Sequence, residues 1–150
     1  MKVSIGTDHA AFDLKNSIVE LLRELGHEVV DCGTYSADSV DYPDFVRPAA
    51  EAVSRGEADR GIVLGGSGNG EAMVANKVPG IRCALCHDVT TARLSREHND
   101  ANVLSLGSRI LGSEVARDIV TTWLNTPFSG EERHARRIRK IHESEWSREL

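Results

Sequence analysis

The chain contains no apolar run approaching the ~20 residues that cross a bilayer, and Met1-Lys2-Val3-Ser4-Ile5-Gly6 lacks the basic, apolar and cleavage-site order of a secretory signal. The expectation is a cytoplasmic protein without a membrane partner. Positive charge is in deficit, with 18 Lys and Arg against 23 Asp and Glu and a formal net charge of −5. That balance disfavours broad nucleic-acid binding, and with only 5% aromatic residues the one basic stretch has no aromatic interleaving to support it. Cysteine is limited to Cys32, Cys83 and Cys86, an odd count that argues against a disulfide framework. Cys83-Ala84-Leu85-Cys86-His87 matches the pattern of c-type haem attachment. The segment reads as a strand, however, in which positions three apart face opposite sides, so the sulfurs do not meet one porphyrin edge. Zinc fares little better, since only Cys32 and scattered histidines remain to complete a site. No metal site is expected.

What is present suffices for one core. A chain of 150 residues with 40% hydrophobic residues is long enough for a single domain and short for two, so residues 1–150 are expected to form one unit. Short apolar runs alternate with amphipathic stretches. Strands are expected at Val3–Gly6, His27–Cys32, Gly61–Leu64, Ile81–Cys86 and Ala101–Leu106. Helices are expected at Ala11–Leu25, Asp44–Arg55 with Pro48 in its first turn, Glu71–Lys77, Val89–Glu97 with Asp88 as N-cap, Ser113–Asn125 and Gly130–Glu145. This alternation implies a doubly wound, Rossmann-like α/β sandwich of three layers around a five-stranded parallel sheet. Ligands of such sheets collect at the carboxyl ends of the strands. Asp8 and His9, the glycine loop after the third strand, His87 and Asp88, and Gly107-Ser108-Arg109 all fall there.

The stretch Gly65-Gly66-Ser67-Gly68-Asn69-Gly70-Glu71 holds four glycines in six residues ahead of a helix. Converging N–H groups and the helix start favour an anion. A P-loop would need lysine and a hydroxyl where Glu71 and Ala72 stand, which argues against nucleoside triphosphate chemistry. The dinucleotide fingerprint fails as well, because Gly66-x-Gly68-x-Gly70 closes its spacing too early. Glu71 would repel a phosphate held tightly in the loop, so two readings stand side by side: proton chemistry, or a simple helix cap. Asp8-His9 is equally open between a catalytic or phosphate-holding pair and a cap. His98-Asn99-Asp100, expected between helix and strand, offers a general acid or a histidine favoured by the helix dipole. Arg133 and Arg137, one turn apart, can converge on one phosphate, while Arg136, Arg139 and Lys140 point elsewhere. The last helix has a thin apolar stripe of Ile138, Ile141 and Trp146, read as an arm, about 130–148, lying on a partner subunit.

Together, Gly6-Thr7-Asp8-His9-Ala10-Ala11, Asp41-Tyr42-Pro43-Asp44, the glycine loop with Glu71, Ala75-Asn76-Lys77-Val78-Pro79-Gly80-Ile81-Arg82, Glu97-His98-Asn99, Gly107-Ser108-Arg109 and Arg133-His134-x-x-Arg137 resemble the type B ribose-5-phosphate isomerases, in a wider group that includes galactose-6-phosphate isomerase subunits. The resemblance runs almost end to end. It implies interconversion of ribose 5-phosphate and ribulose 5-phosphate through a cis-enediolate, without metal, nucleotide or other cofactor. Many members of that family use a cysteine base at the position of Gly65; this chain resembles the actinobacterial-like branch in which a glutamate at the position of Glu71 is the base. By the same resemblance, Ser67 and the amides of Gly66, Gly68, Asn69 and Gly70 stabilise the enediolate, and His98, assisted by Asp8, opens the sugar ring. His9, Arg109, Arg133 and Arg137 hold the phosphate, and Tyr42 and Asn99 contact substrate oxygens. A homodimer with shared sites is the implied minimum. Alternatives are isomerases of allose 6-phosphate, galactose 6-phosphate or erythrulose 4-phosphate, and a nucleotide-binding flavodoxin-like module without catalysis.

Overall fold

The computed structural model describes residues 1–145; Trp146 and the expected last turn of the C-terminal helix lie outside the described residues. The strands are β1 (Lys2–Thr7), β2 (Glu28–Asp31), β3 (Arg60–Gly65), β4 (Cys83–Leu85) and β5 (Val103–Gly107). They form one sheet in the order β2-β1-β3-β5-β4, with every adjacent pair parallel. The helices are α1 (Phe12–Glu24), α2 (Pro43–Ser54), α3 (Asn69–Ala75), α4 (Val89–Asn99), α5 (Ser113–Asn125) and α6 (Glu132–Glu143), and a 3-10 turn, His9–Ala11, precedes α1. The fold is thus the expected α/β sandwich.

Side-chain alternation divides the core. Val3, Ile5, Ile62, Leu64, Leu104 and Leu106 pack with α1, α4 and α5 on one face, whereas Val63 and Val103 pack with α2 and α3 on the other. The cysteines follow the same rule. Cys86 belongs to the first cluster and Cys83 packs against the second, as their odd spacing requires.

Two local expectations are corrected. Pro48 is not in the first turn of α2, because the helix starts at Pro43, where a missing N–H costs nothing, and Pro48 falls within the helix. His98 and Asn99 do not lie in a connection. They are the last residues of α4, which continues because Asp100 adopts a left-handed C-cap at φ 44° and the Arg96 guanidinium bonds both Asp100 Oδ1 and the Ala101 carbonyl, each at 2.7 Å. The C-terminal helix touches α4, buries His134 and half-buries Ile138, and leaves Ile141 and most of its other described residues exposed, as its thin apolar stripe implies. The Arg82 guanidinium meets His142 Nε2 at 2.7 Å, and the Gly80 N–H donates to Glu145 at 3.0 Å. Among the described residues, no helix is long and apolar enough to cross a membrane.

Candidate active site

The strand ends of β1, β3 and β5 come together. β3 and β5 pair through Gly65 and Gly107, beyond which the N–H groups of Ser108 and Arg109 donate to the carbonyls of Gly65 and Gly66 at 2.8 and 2.9 Å. Ser108 Oγ also donates to the Ala10 carbonyl at 2.9 Å, tying the β5 turn to the β1 turn. The resulting cleft, about 400 Å³, is lined by Asp8, His9, Ala10, Tyr42, Gly66, Ser67, Gly70, Glu71, Arg109 and Ile110. The Tyr42 ring packs on Gly70 and the Arg109 side chain on Gly66.

Glu71 is the more deeply buried of the two acids in this cleft, 3% exposed. Its carboxylate occupies the space directly over Gly65, where a built Cβ would overlap it, so the glycine is a steric requirement. Burial raises the Glu71 pKa and the nearby Asp8 charge adds to the rise, while hydrogen bonds from the backbone amides of Glu71 and Gly68 oppose it. Gly68 takes φ +80° as the N-cap of α3, and its carbonyl accepts Ser105 Oγ at 2.8 Å. That conformation, which glycine adopts without penalty, bends the chain from strand into helix so that Glu71 turns back over Gly65.

Of the loop residues, Gly66, Ser67 and Gly70 line the cleft. Gly68 is buried, and Asn69 is exposed outside the lining with its N–H engaged by Ser67 Oγ at 3.2 Å. Asp8 is buried and does cap the 3-10 turn, its Oδ1 accepting the Ala10 N–H at 2.9 Å. His9 Nδ1 accepts the Val40 N–H at 3.1 Å, which leaves the ring proton on Nε2 as a donor. The Val40 amide has no side-chain signature, so sequence reasoning missed it. Ser108 was visible in Gly107-Ser108-Arg109 but carried no role.

A second group lies elsewhere. His98, Asn99, Arg133 and Arg137 do not line the cleft; they sit at the end of α4 and on α6. His98 stacks on His134, with ring centroids 4.4 Å apart and planes 15° from parallel. Arg133 pairs with Glu131 at 3.0 Å and is exposed, as is Arg137. His87 and Asp88, after β4, are also outside the cleft, and Asp88 caps α4 by accepting the Thr91 N–H at 2.6 Å. Among the described residues, no group of three or more His, Cys, Asp or Glu side chains is placed to hold a metal ion.

A buried carboxylate beside a glycine loop, at the strand ends of a parallel sheet, suits proton transfer to or from a small ligand held in the cleft. Fold and cleft together define the class, a parallel α/β protein with a small-molecule cleft at its strand ends. More narrowly, the chain belongs to the ribose/galactose isomerase family, whose model matches residues 3–141. It is 48% identical over 151 residues to ribose-5-phosphate isomerase B of Mycobacterium tuberculosis, covering 99% of this chain and 93% of that one. It is also similar to a solved ribose-5-phosphate isomerase B of Clostridium thermocellum, at 54% identity and a TM-score of 0.95 over 97% of both chains. D-erythrulose-4-phosphate isomerase of Pectobacterium atrosepticum is 43% identical over 134 residues, covering 87% of this chain and 86% of that protein.

Proposed function

We propose that the chain interconverts ribose 5-phosphate and ribulose 5-phosphate, with Glu71 as the base that moves a proton between C2 and C1. The observation that carries this reading is the Glu71 carboxylate, buried over Gly65 in the same cleft as His9, Ser67 and Arg109. In the open-chain aldose, the C1 carbonyl acidifies the C2 hydrogen. Glu71 takes that proton, and the electron pair moves through the new C1–C2 double bond onto O1. The amides of Gly66 and Gly70, with Ser67, stabilise the enediolate because they are fixed before charge develops. The C2 hydroxyl proton passes to O1, and Glu71 returns its proton to C1, giving the ketose. A pKa raised by burial suits an acid that must both take and return a proton. No cofactor enters this balance.

His9, presenting Nε2–H, and Arg109 hold the phosphate, and Tyr42 contacts a substrate oxygen. His98, Asn99, Arg133 and Arg137 complete the site from a second copy of the chain, which explains why they lie outside the cleft of their own. His98 exchanges a proton with the ring oxygen during ring opening, and Asp8 assists. The active unit is a cytoplasmic homodimer.

Glu71→Gln tests the base. Turnover of ribose 5-phosphate falls on the order of 10²- to 10⁴-fold, the range of a lost general base, while binding of a phosphate-bearing competitor changes only a few-fold. Turnover at the wild-type rate would sink the assignment. A panel of four- to six-carbon aldose and ketose phosphates, read as kcat/KM, checks that the five-carbon pair is preferred.

A further inference from the structure

His134 is 6% exposed on a helix whose other described residues are exposed or half-buried, and its Nε2 is buried without a hydrogen-bond partner among the described residues. An unsatisfied buried nitrogen is costly and calls for a compensating role. Its ring lies nearly parallel to that of His98, centroids 4.4 Å apart. The contact joins α6 to the last turn of α4. We propose that His134 is a positioning residue for His98, a neutral aromatic platform that fixes the plane of the His98 ring and cushions its protonated form, without touching substrate. The inference rests on the reading of His98 as the ring-opening group.

The platform works only while His134 stays neutral. Burial lowers its pKa, and the charges of His98 across the contact and of Arg133 and Arg137 on its own helix lower it further, against a smaller opposing effect of Glu131. His134 therefore resists protonation as His98 gains its proton, and the π face of a neutral ring favours a cation over it. Two imidazolium rings stacked at this separation would repel one another instead.

The test is the ring-current shift of the His98 imidazole resonances in wild type, His134→Phe, His134→Gln and His134→Ala, with turnover of ribose 5-phosphate measured in parallel. Phe keeps the flat face. It keeps the His98 resonances displaced upfield and kcat within about twofold. Gln and Ala remove the face, abolish that displacement, and reduce kcat on the order of tenfold with KM little changed. A wild-type kcat in both Gln and Ala, or His98 resonances that do not move when the ring is removed, would overturn the inference. Absence of sugar-phosphate turnover in wild type would overturn the isomerase reading alone, because the ring-current shift still reports on the ring pair.

Discussion

At the scale of the residue, Glu71 and Gly65 are one device. The acid is buried because the glycine leaves it the space over its Cα, and the burial raises its pKa. Gly65→Ala is expected to displace the carboxylate and lower kcat/KM by about 10²-fold, the scale of a small misplacement of a reacting group. Circular dichroism should show the fold retained, and an unaltered rate would mean that the carboxylate tolerates the intrusion. The pH dependence has a defined sign. The base acts when ionised, so kcat/KM falls as pH drops through a Glu71 pKa that lies above the ordinary glutamate value of about 4.3. Stability runs the opposite way. A carboxyl with a raised folded pKa stabilises the fold below its unfolded pKa, and that contribution is lost as pH rises through the folded value. Glu71→Gln should therefore match or exceed the wild-type Tm at neutral pH, an advantage that disappears below about pH 4. Differential scanning calorimetry across that range checks it.

At the scale of the element, most of the periodicity was legible and the junctions were not. The apolar spacing of α1 and α5 and the β-strand alternation gave elements with correct cores. Pro48 read as a first-turn residue because proline is tolerated there, yet Pro43 already held that place. His98 and Asn99 read as a connection because a left-handed Asp100, held by Arg96, is a tertiary choice with no local mark. In the cleft, Glu71, Ser67, Asp8, His9 and Arg109 were legible from residue type at strand ends, assisted by the family resemblance, whereas Tyr42, the N-cap of α2, came from that resemblance alone. The Val40 amide was not, since a backbone donor looks the same at every position. The segment between β2 and α2 that delivers this amide is anchored by Lys15, 1% exposed, whose Nζ donates to both Asp31 carboxylate oxygens at 3.0 and 2.9 Å and to the Thr34 carbonyl at 2.9 Å. Lys15→Met is expected to cost about 1–3 kcal/mol, the cost of leaving buried polar partners unpaired, and to raise KM by loosening His9. Urea unfolding and Michaelis kinetics read the two effects separately.

At the scale of the whole molecule, the two separated groups of site residues make a numerical prediction. Glu71→Gln chains and Arg133→Ala/Arg137→Ala chains are each expected to be nearly inactive. If each site draws on two subunits, refolding them together at equal amounts regenerates one intact site in every mixed dimer, about a quarter of wild-type activity. Recovery of nothing beyond the parents would place both groups in one chain.

The strand order carries a further consequence, for synthesis. Among the described residues, β5 is the last strand made and an interior one, inserted between β3 and an edge strand, β4, whose only ladder partner it is. Until residue 107 has left the ribosome, β3 presents an open apolar edge and β4 has nothing to pair with. An incomplete chain therefore exposes the template for edge-to-edge association that the finished sheet conceals. Fragments ending before β5 should be recovered as aggregates, and the nascent protein passes through that exposed condition between completion of β3 at Gly65 and completion of β5 at Gly107.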